Sequence, residues 1–333
     1  MSDVSRRPRP RHATFGVVFA IVAALALSVS PASAKPRINT QAFQVCSSWN
    51  VAGASTFGAL TRLAPTASTS RIAGSKGREP ADRAGLAGDT EISSGTKINQ
   101  FPGATINVYY HVVTNGNAGK VTNSTISAQT QALNLSYSGF YGGVETGFRF
   151  RTAGVDRTDN AAWYTQATFG DELAMKNTLK TGGPTDLNVY TTSGGDFLGW
   201  AYYPSIVHTQ FKVLDGIVID YRSMPGGAYG TDYSLGYTLT HEAGHWLGLA
   251  HTFEKGCIGA GDHVADTPEE ATPTSACPEG KDTCPTAGLD PIHNYMDYSF
   301  DSCYTQFTAG QSDRMGKQYM HWRVQQGYNN PGT

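Results

Sequence analysis

One stretch of twelve residues, THEAGHWLGLAH at positions 240–251, constrains the fold more than any other part of the chain. It contains His241, His245 and His251, with Glu242 beside the first histidine and Gly248 between the other two. On an α-helix, residues four positions apart project from the same face, about 5–6 Å apart at Cβ. A helix over this stretch would therefore present His241 and His245 side by side to a single metal ion.

A glycine placed shortly after His245 predicts where this helix ends. Gly248 can adopt a positive φ and terminate the helix sharply, so that His251 approaches the same ion from a loop. Three neutral imidazoles leave the fourth position of a tetrahedral zinc ion open for water, as in catalytic zinc sites. We therefore predict one catalytic Zn²⁺ with His241, His245 and His251 as its ligands.

Glu242 follows the first histidine, and from there its carboxylate can reach a zinc-bound water without ligating the ion. Zinc lowers the pKa of such a water to about 7. A nearby carboxylate can accept the proton as the water attacks a carbonyl carbon, and can return it to the leaving amine. The sequence therefore predicts the hydrolysis of peptide bonds in protein or peptide substrates, with Glu242 as the general base.

The first hundred residues differ in character from the rest of the chain. Residues 1–34 combine arginines with an apolar run and end in ASA, which indicates a secretory signal peptide. A membrane anchor is the alternative, because an apolar run of about 18 residues is at the lower limit for a span. Residues 35–100 are rich in Ala, Ser, Thr, Gly and Arg and predict a pro-segment or linker, whereas residues 101–333 predict one catalytic domain.

Strand and helix patterns alternate through the predicted catalytic domain. ATINVYYHVVT at 104–114, DLNVYTT, FLGWAYYP and DGIVIDYR are typical of strands. STISAQTQALNLSYSGF has the periodicity of a helix, with Asn123 or Ser124 as its N-terminal cap. This alternation favours a mixed sheet with packed helices.

The charge of the chain excludes one class of partner. The formal net charge is −2, and it becomes −5 without residues 1–34, which carry four arginines and one aspartate. A mildly acidic protein offers no basic patch for nucleic acid. Because no later apolar segment is long enough to cross a bilayer, we predict a secreted, extracellular protein with no stable membrane association.

Four of the five cysteines, Cys257, Cys277, Cys284 and Cys303, lie within one late segment. In an extracellular protein they predict two disulfides, for which three pairings exist. The fifth, Cys46, lies in the predicted pro-segment. Since a thiolate is a strong zinc ligand, Cys46 is a candidate latency residue that would occupy the open zinc position in the precursor; an incidental or intermolecular thiol is the alternative.

The complete pattern H-E-x-x-H-x-x-G-x-x-H resembles the signature of the metzincin clan, whose second mark is a downstream methionine turn. HNYMDYS supplies such a turn at Met296, and Tyr298 follows two positions later. HTFEKGC, GDHVADTP, DPIHNYMDYSFDSC and FTAGQSDRM resemble the pappalysin family, especially its short secreted microbial members, over about residues 100–325.

The resemblance implies an α+β fold. A twisted mixed β-sheet carries a backing helix and the active-site helix, and an irregular C-terminal subdomain that ends in a helix follows. The resemblance also implies that Met296 lies beneath the zinc as an apolar floor and that Tyr298 binds zinc or donates a hydrogen bond to the oxyanion. Asp301 follows in the segment that walls a substrate pocket in metzincins, which predicts a preference for a basic residue after the scissile bond; a solvated turn residue is the alternative.

Family members bind calcium in the loop after the third histidine, and Asp262, Asp266 and the carbonyl of Thr267 could supply oxygen ligands here. Acidic turn residues without an ion are the alternative. The disulfide pairing that the resemblance implies alternates along the chain, as Cys257–Cys284 and Cys277–Cys303.

Two other functions compete with a secreted zinc endopeptidase made as a precursor. One is a non-catalytic secreted zinc-binding or adhesion protein on the same fold, and the other is a zinc hydrolase of a non-peptide bond. The presence of both Glu242 and Tyr298 favours the endopeptidase over the first alternative, because a protein that cleaves nothing needs neither residue.

Overall fold

The computed structural model describes Ile92 and residues 95–195, 197–208 and 211–328. The predicted signal peptide, most of the predicted pro-segment and Cys46 lie outside the described residues. The strands are β1 (Ala104–Thr114), β2 (Phe148–Asp159), β3 (Leu187–Thr192), β4 (Gly199–Trp200) and β5 (Ile217–Asp220). The α-helices are α1 (Asn123–Tyr137), α2 (Ala161–Thr165), α3 (Phe169–Leu179), α4 (Pro204–Val207), α5 (Gly230–Tyr233), α6 (Tyr237–Trp246) and α7 (Ala309–Gln318), and a π-helix (Tyr319–Gln326) follows α7.

The five strands form one sheet in the order β2-β1-β3-β5-β4. β1 pairs in parallel with β2 and β3, and β3 pairs in parallel with β5. β4 is antiparallel to β5 and lies at the edge of the sheet. The sheet is therefore mixed, as the resemblance to metzincins implies.

Side chains alternate along β1 between two hydrophobic cores, because successive residues of a strand point to opposite faces of the sheet. Ile106, Val108 and Tyr110 belong to the larger core, which also contains the apolar residues of α1, α6 and α7. Val113 belongs to a smaller core together with Trp200 of β4. Both faces of the sheet are thus covered, and the larger core packs the backing helix α1 and the helix of the histidine motif against one face.

Two local predictions differ from the structure. α1 begins at Asn123, and its N-cap is Thr122, whose hydroxyl accepts the N–H of Thr125 at 3.1 Å. Neither Asn123 nor Ser124 caps the helix, because both already lie within its first turn. The strand predicted for FLGWAYYP contains only Gly199 and Trp200, since Pro204 begins α4.

The segment before β1 already packs on the catalytic domain. The ring of Phe101 stacks on that of Phe148 with centroids 4.4 Å apart, and Ile98 packs against the same core. Near the other end of the chain, Gln325 donates a hydrogen bond to the carbonyl of Lys97 at 3.3 Å. Residues 97–101 therefore contact the domain, and the predicted boundary at 101 stays a prediction.

Between His251 and Phe307 the chain forms turns, bends and a single 3-10 turn, Asp301–Cys303, without a longer helix or a paired strand. This is the irregular subdomain that the resemblance implies. Two disulfides cross-link the segment, in the pairing Cys257–Cys284 and Cys277–Cys303. None of the helices in the described part of the chain combines the length and the apolar character of a bilayer span.

Candidate metal centre

Every residue of α6 is buried, and a distant carboxylate holds its N-terminus. Gly236, the N-cap residue, has no side chain to cap the helix. Asp301 supplies the missing acceptor, because its Oδ2 accepts the N–H groups of Leu235 at 2.8 Å and Tyr237 at 3.4 Å. Asp301 is 2 % exposed. The structure therefore makes it an anchor of α6 and does not support the prediction that it attracts a basic substrate side chain.

Gly248 ends α6 in the left-handed conformation, with φ at 93°. Its N–H donates to the carbonyl of His245 and the N–H of Leu249 donates to that of Gly244, each at 2.9 Å. A Cβ on residue 248 would lie 2.7 Å from Cγ of Gln318, so the turn requires glycine for space as well as for conformation. The sharp turn returns the chain towards the helix.

The turn brings the three histidines together. The Nε2 atom of His245 lies 2.9 Å from Nε2 of His241 and 3.2 Å from Nε2 of His251. His241 and His245 are fully buried, and His251 is half-buried. Three ring nitrogens thus converge on one point from a helix and a loop.

Backbone carbonyls decide which nitrogen of each helical histidine carries the proton. Nδ1 of His241 lies 2.6 Å from the carbonyl oxygen of Tyr295, and Nδ1 of His245 lies 2.6 Å from that of Leu249. Each Nδ1 must therefore donate. Burial lowers the pKa of His241 to about 4 and that of His245 well below its ordinary value, so both rings are neutral. Both Nε2 atoms consequently present bare lone pairs to each other.

Two bare lone pairs at 2.9 Å repel unless a cation lies between them. A tetrahedral zinc ion with Zn–N bonds of about 2.0–2.1 Å separates two ligand nitrogens by about 3.3 Å, close to the observed spacing. Hydrogen bonds from Nδ1 to carbonyls are also the usual support of metal-binding histidines. The donor set therefore fits zinc. The other three-residue cluster of potential ligands in the described residues, Cys277, His293 and Cys303, has both its cysteines in a disulfide.

Met296 lies beneath the motif helix and is fully buried. Its Sδ occupies the space where a side chain on Gly244 would be, since a Cβ there would lie 2.4 Å from the sulfur. The turn is held by Asn294, whose Oδ1 accepts the N–H of Met296 at 2.9 Å. The Asn294 amide pairs in turn with the Gln311 amide of α7 through two hydrogen bonds of 2.8 and 2.9 Å.

Tyr298 stands over the outer side of the histidine cluster. Its ring centroid lies 5.0 Å from that of His251 and 5.8 Å from that of His241. Phe253 stacks on His251 at 4.6 Å and contacts Tyr298 at 4.9 Å. Tyr298 is half-buried, so its ring is fixed by aromatic contacts while part of the residue faces solvent.

Glu242 is fully buried at the junction of α6 with the edge strand. Gly199 of β4 lies so close that a Cβ on it would be 3.1 Å from Cγ of Glu242 and 3.0 Å from the carbonyl of Val218. Strand β4 therefore passes directly over the glutamate of the motif. Glycine is the residue that permits this approach.

The acidic residues predicted to bind calcium serve separate local structures. Asp262 accepts the hydroxyl of Thr267 at 2.7 Å within its own turn. Asp266 accepts the hydroxyl of Thr308 at 2.7 Å and a backbone N–H in the first turn of α7 at 2.8 Å. These hydrogen bonds hold the two turns, and calcium binding at Asp262, Asp266 and Thr267 stays a prediction.

Several groups that support the site are not predicted by the motif. The carbonyls of Tyr295 and Leu249 have no sequence signal, because any residue supplies a backbone carbonyl. Gly199 gave no signal either, since a glycine in a short strand has many explanations. Gly244 did give one: glycine inside a helix is unfavourable by about 1 kcal/mol relative to alanine, which indicates a packing reason at that position.

Comparison with known proteins agrees with this site. Residues 187–319 match the peptidase family model described as pregnancy-associated plasma protein-A. An extracellular metalloprotease of Sordaria macrospora is 47% identical over 226 residues, which cover 66% of this chain and 76% of the relative. An extracellular metalloprotease of Pyricularia oryzae is 44% identical over 238 residues, 70% of this chain and 81% of the relative.

Solved structures show the same fold. Mature mirolysin of Tannerella forsythia, determined in complex with a cleaved peptide, superimposes with a TM-score of 0.56 at 28% identity and covers 64% of this chain and 90% of its own. A promirolysin mutant superimposes with a TM-score of 0.60 at 27% identity and covers 69% and 85%. The chain therefore belongs to the pappalysin family and is an extracellular zinc metalloendopeptidase with the metzincin fold.

Proposed function

We propose that this chain cleaves peptide bonds of protein substrates at a zinc ion held by His241, His245 and His251. The observation that carries the proposal is the pair of facing lone pairs on His241 and His245, which hydrogen bonds to backbone carbonyls fix in place. Neutral, pre-oriented imidazoles are ready to bind a divalent cation. The preformed site spares the enzyme the cost of ordering its ligands when zinc arrives.

When bound, zinc acts as a Lewis acid that polarises the scissile carbonyl and makes water a stronger acid. In this proposal a carboxylate oxygen of Glu242 takes a proton from the attacking water, and the oxygen of that water bonds to the carbonyl carbon. The same carboxyl then gives the proton to the amine nitrogen as the C–N bond breaks. The hydroxyl of Tyr298 donates a hydrogen bond to the oxyanion, where a well-placed donor stabilises the transition state.

The edge strand offers a docking place for the substrate. β4 is the last strand of the sheet, and an extended peptide can add to such an edge through backbone hydrogen bonds. Because Gly199 touches Glu242, a peptide that pairs with β4 passes close to the general base. The cleaved peptide in the complex with mature mirolysin supports peptide substrates for this chain as well.

The decisive experiment is Glu242→Gln in the mature enzyme. We expect peptide hydrolysis to fall by at least about 10²–10⁴-fold, the usual contribution of a general base. Zinc content should stay at one ion per chain, because Glu242 is not a ligand. The matched control is Glu145→Gln, an exposed carboxylate paired with Arg149, which should leave the rate unchanged.

If the chain is instead a zinc-binding protein that cleaves nothing, a different result is expected. Wild-type protein would then show no hydrolysis of casein or gelatin with zinc bound, and a chelator would change nothing. Near-normal hydrolysis by a zinc-loaded Glu242→Gln variant would instead reject the role of Glu242 while leaving the endopeptidase in place.

We further propose that residues 1–34 are a signal peptide and that a pro-segment follows it. The packing of Phe101 on Phe148, together with the contact of Gln325 with Lys97, supports a mature domain that starts at or before Lys97. N-terminal sequencing of the secreted, active enzyme tests this boundary. A mature N-terminus after Lys97 would reject it.

A further inference from the structure

A half-buried lysine, Lys281, lies within the irregular subdomain. Nζ of Lys281 lies 2.5 Å from Oε1 of Glu270 and 3.1 Å from Oδ2 of Asp290. It also donates to the hydroxyl of Thr274 at 2.9 Å and to the carbonyl of Thr272 at 2.6 Å. Four oxygens thus surround the ammonium, in the way hard oxygen ligands surround a metal cation.

The carboxylates around Lys281 are shut off from solvent. Glu270 is 0% exposed and Asp290 4% exposed, whereas the Lys281 side chain is 16% exposed. Burial lowers the pKa of Lys281, but the hydrogen bonds to Glu270 and Asp290 and the charges of Glu270 and Asp297 raise it above its ordinary value, so the lysine is a cation. Removing that cation would leave buried negative charge without compensation, which is strongly unfavourable.

One chain of contacts leads from Lys281 to the loop of the third histidine. Oε2 of Glu270, the oxygen that Lys281 does not bind, accepts the hydroxyl of Thr252 at 2.9 Å. Thr252 follows His251 directly, and its backbone N–H donates to the carbonyl of Met296 at 3.3 Å. Glu270 therefore fixes the residue next to His251, and Lys281 fixes Glu270.

A second chain of contacts leads to the turn that carries Tyr298. The hydroxyl of Thr274, which accepts from Lys281, donates to Glu270 at 2.7 Å. The backbone N–H of Thr274 donates to Oδ1 of Asp297 at 2.9 Å. The same Oδ1 accepts the N–H of Tyr298 at 2.7 Å.

The positive charge of Lys281 helps to stabilise the charged form of Asp297. Among the described residues its Oδ2 atom has no hydrogen-bond partner, and the residue is fully buried. Burial raises the pKa of Asp297, and the hydrogen bonds from Thr274 and Tyr298, together with the charge of Lys281, oppose that rise. The ammonium of Lys281 thus supplies positive charge that favours the ionised carboxylate of Asp297.

We propose that Lys281 is a positioning residue of the metal centre, a fixed internal cation that holds both His251 and Tyr298 in place. It acts on His251 through Glu270 and Thr252, and on Tyr298 through Thr274 and Asp297. The inference rests on the proposed roles of His251 and Tyr298. It predicts that zinc affinity depends on a charge carried by the irregular subdomain.

The test compares zinc affinity, by chelator competition, in Lys281→Ala and in the matched control Lys317→Ala, a lysine that is 58% exposed and paired with Asp313. We expect Lys281→Ala to bind zinc about 10–100-fold more weakly, the usual effect of losing support behind a ligand. Methylammonium, which can enter the vacated and partly exposed position, should restore most of the affinity. Tetramethylammonium has the same charge but no N–H donor, and it should not.

A second variant separates positioning from folding. Thr252→Val removes the hydroxyl that links Glu270 to the His251 loop and leaves the contacts of Lys281 intact. We expect weaker zinc binding with an unfolding temperature within a few degrees of wild type. Zinc affinity equal to that of the control in both variants would overturn the proposal, and so would a loss in Lys281→Ala that methylammonium does not reverse.

The zinc measurement also separates this proposal from the proposed function. Peptide hydrolysis is not needed to read it, so a wild-type chain that binds zinc but cleaves nothing would reject the endopeptidase mechanism alone. Hydrolysis by wild type together with unchanged affinity in Lys281→Ala would reject the role of Lys281 alone.

Discussion

At the scale of single residues, the metal centre relies on three glycines at positions where a larger residue would clash or where the chain must turn. Gly244 leaves room for Met296, Gly199 lets β4 approach Glu242, and Gly248 turns the chain towards the histidines. Tyr298 places its ring against His251 by aromatic contact, and in the proposed mechanism its hydroxyl donates a hydrogen bond to the oxyanion.

Replacing Gly244 by alanine tests the contact with Met296. Alanine favours a helix by up to about 1 kcal/mol, but a Cβ 2.4 Å from Sδ must push the sulfur away, and overpacking costs about 1–3 kcal/mol. We expect lower stability in urea unfolding and a lower kcat/KM. Gly170→Ala is the matched control, because the nearest atom to its Cβ is at 3.5 Å, and this variant should be as stable as wild type or slightly more so. Equal stability of the two variants would contradict the packing argument.

Tyr298→Phe removes one hydroxyl and keeps the ring that packs on His251 and Phe253. An oxyanion donor acts only in the transition state, so kcat should fall by about 10²–10³-fold with little change in KM. Steady-state kinetics on a peptide substrate measures both constants, and unchanged zinc content serves as the internal control. An unaltered kcat would remove Tyr298 from the mechanism.

At the scale of elements, the C-terminal end of α6 is held by groups from two other segments, one at Asp215 and one at residues 323–328. Trp246 donates its indole N–H to Asp215 at 2.9 Å and accepts hydrogen bonds from Arg323 at its carbonyl. The guanidinium of Arg323 lies 3.4 Å above the Trp246 ring and pairs with Asp215 at 3.1 Å. Tyr328 donates to the same carboxylate. These contacts fix the helix that carries two of the histidines.

The charge of Asp215 makes this fastening sensitive to acid. Burial alone would raise the pKa of Asp215, but the charges of Arg323 and Lys180 and the hydrogen bonds outweigh it and lower the value to about 2 from 3.8. A lowered pKa stabilises the fold above pH 3.8, and this contribution disappears as the pH falls through about 2. The loss amounts to about 2 kcal/mol.

The variant Asp215→Asn isolates this contribution. At pH 7 it should be less stable than wild type by about 3–5 kcal/mol, because it leaves Arg323 buried without its partner. The difference between the two proteins should shrink by about 2 kcal/mol between pH 5 and pH 2. Urea unfolding followed by tryptophan fluorescence gives the difference at each pH. A difference that does not vary with pH would show that Asp215 keeps an ordinary pKa.

At the scale of the whole molecule, the sheet and its helices build one half of the site, and the irregular subdomain builds the other. α6 supplies His241 and His245, whereas the loops after residue 250 supply His251, Met296 and Tyr298. The second half has few regular hydrogen bonds, so disulfides and the network around Lys281 replace secondary structure there.

The two disulfides close loops of similar length, with sequence separations of 27 and 26 residues. Replacing either pair by alanines should therefore lower the free energy of unfolding by a similar amount, about 3–4 kcal/mol. Only the loss of Cys277–Cys303 should lower the kcat/KM of the folded enzyme, because Cys303 ends the turn whose Asp301 holds the N-terminus of α6. Calorimetry and kinetics on both double variants give the comparison. Equal losses of activity would contradict it.

The sequence by itself determined those features that depend on short spacing. The helical period places His241 and His245 on one face, Gly248 stops the helix, and β1 has the predicted bounds of 104–114. The family resemblance added the mixed sheet, the methionine turn and the disulfide pairing. In each case the relevant geometry lies within a few residues or is carried by a specific motif, so no long-range packing is needed to predict it.

The tertiary structure alone decided what supports the site. The carbonyl of Tyr295 that orients His241 is 54 residues away in the chain, and Asp301 reaches Tyr237 of α6 across 64 residues. FLGWAYYP has the composition of a full strand, but only two of its residues pair. Local secondary-structure propensity does not predict such contacts, because their energy comes from residues that are distant in the sequence and meet only in the folded chain. For this reason the sequence predicts the histidines. Lys281 lies 30 residues beyond His251, and its contacts with the residues that support the His251 loop are seen only in the folded structure.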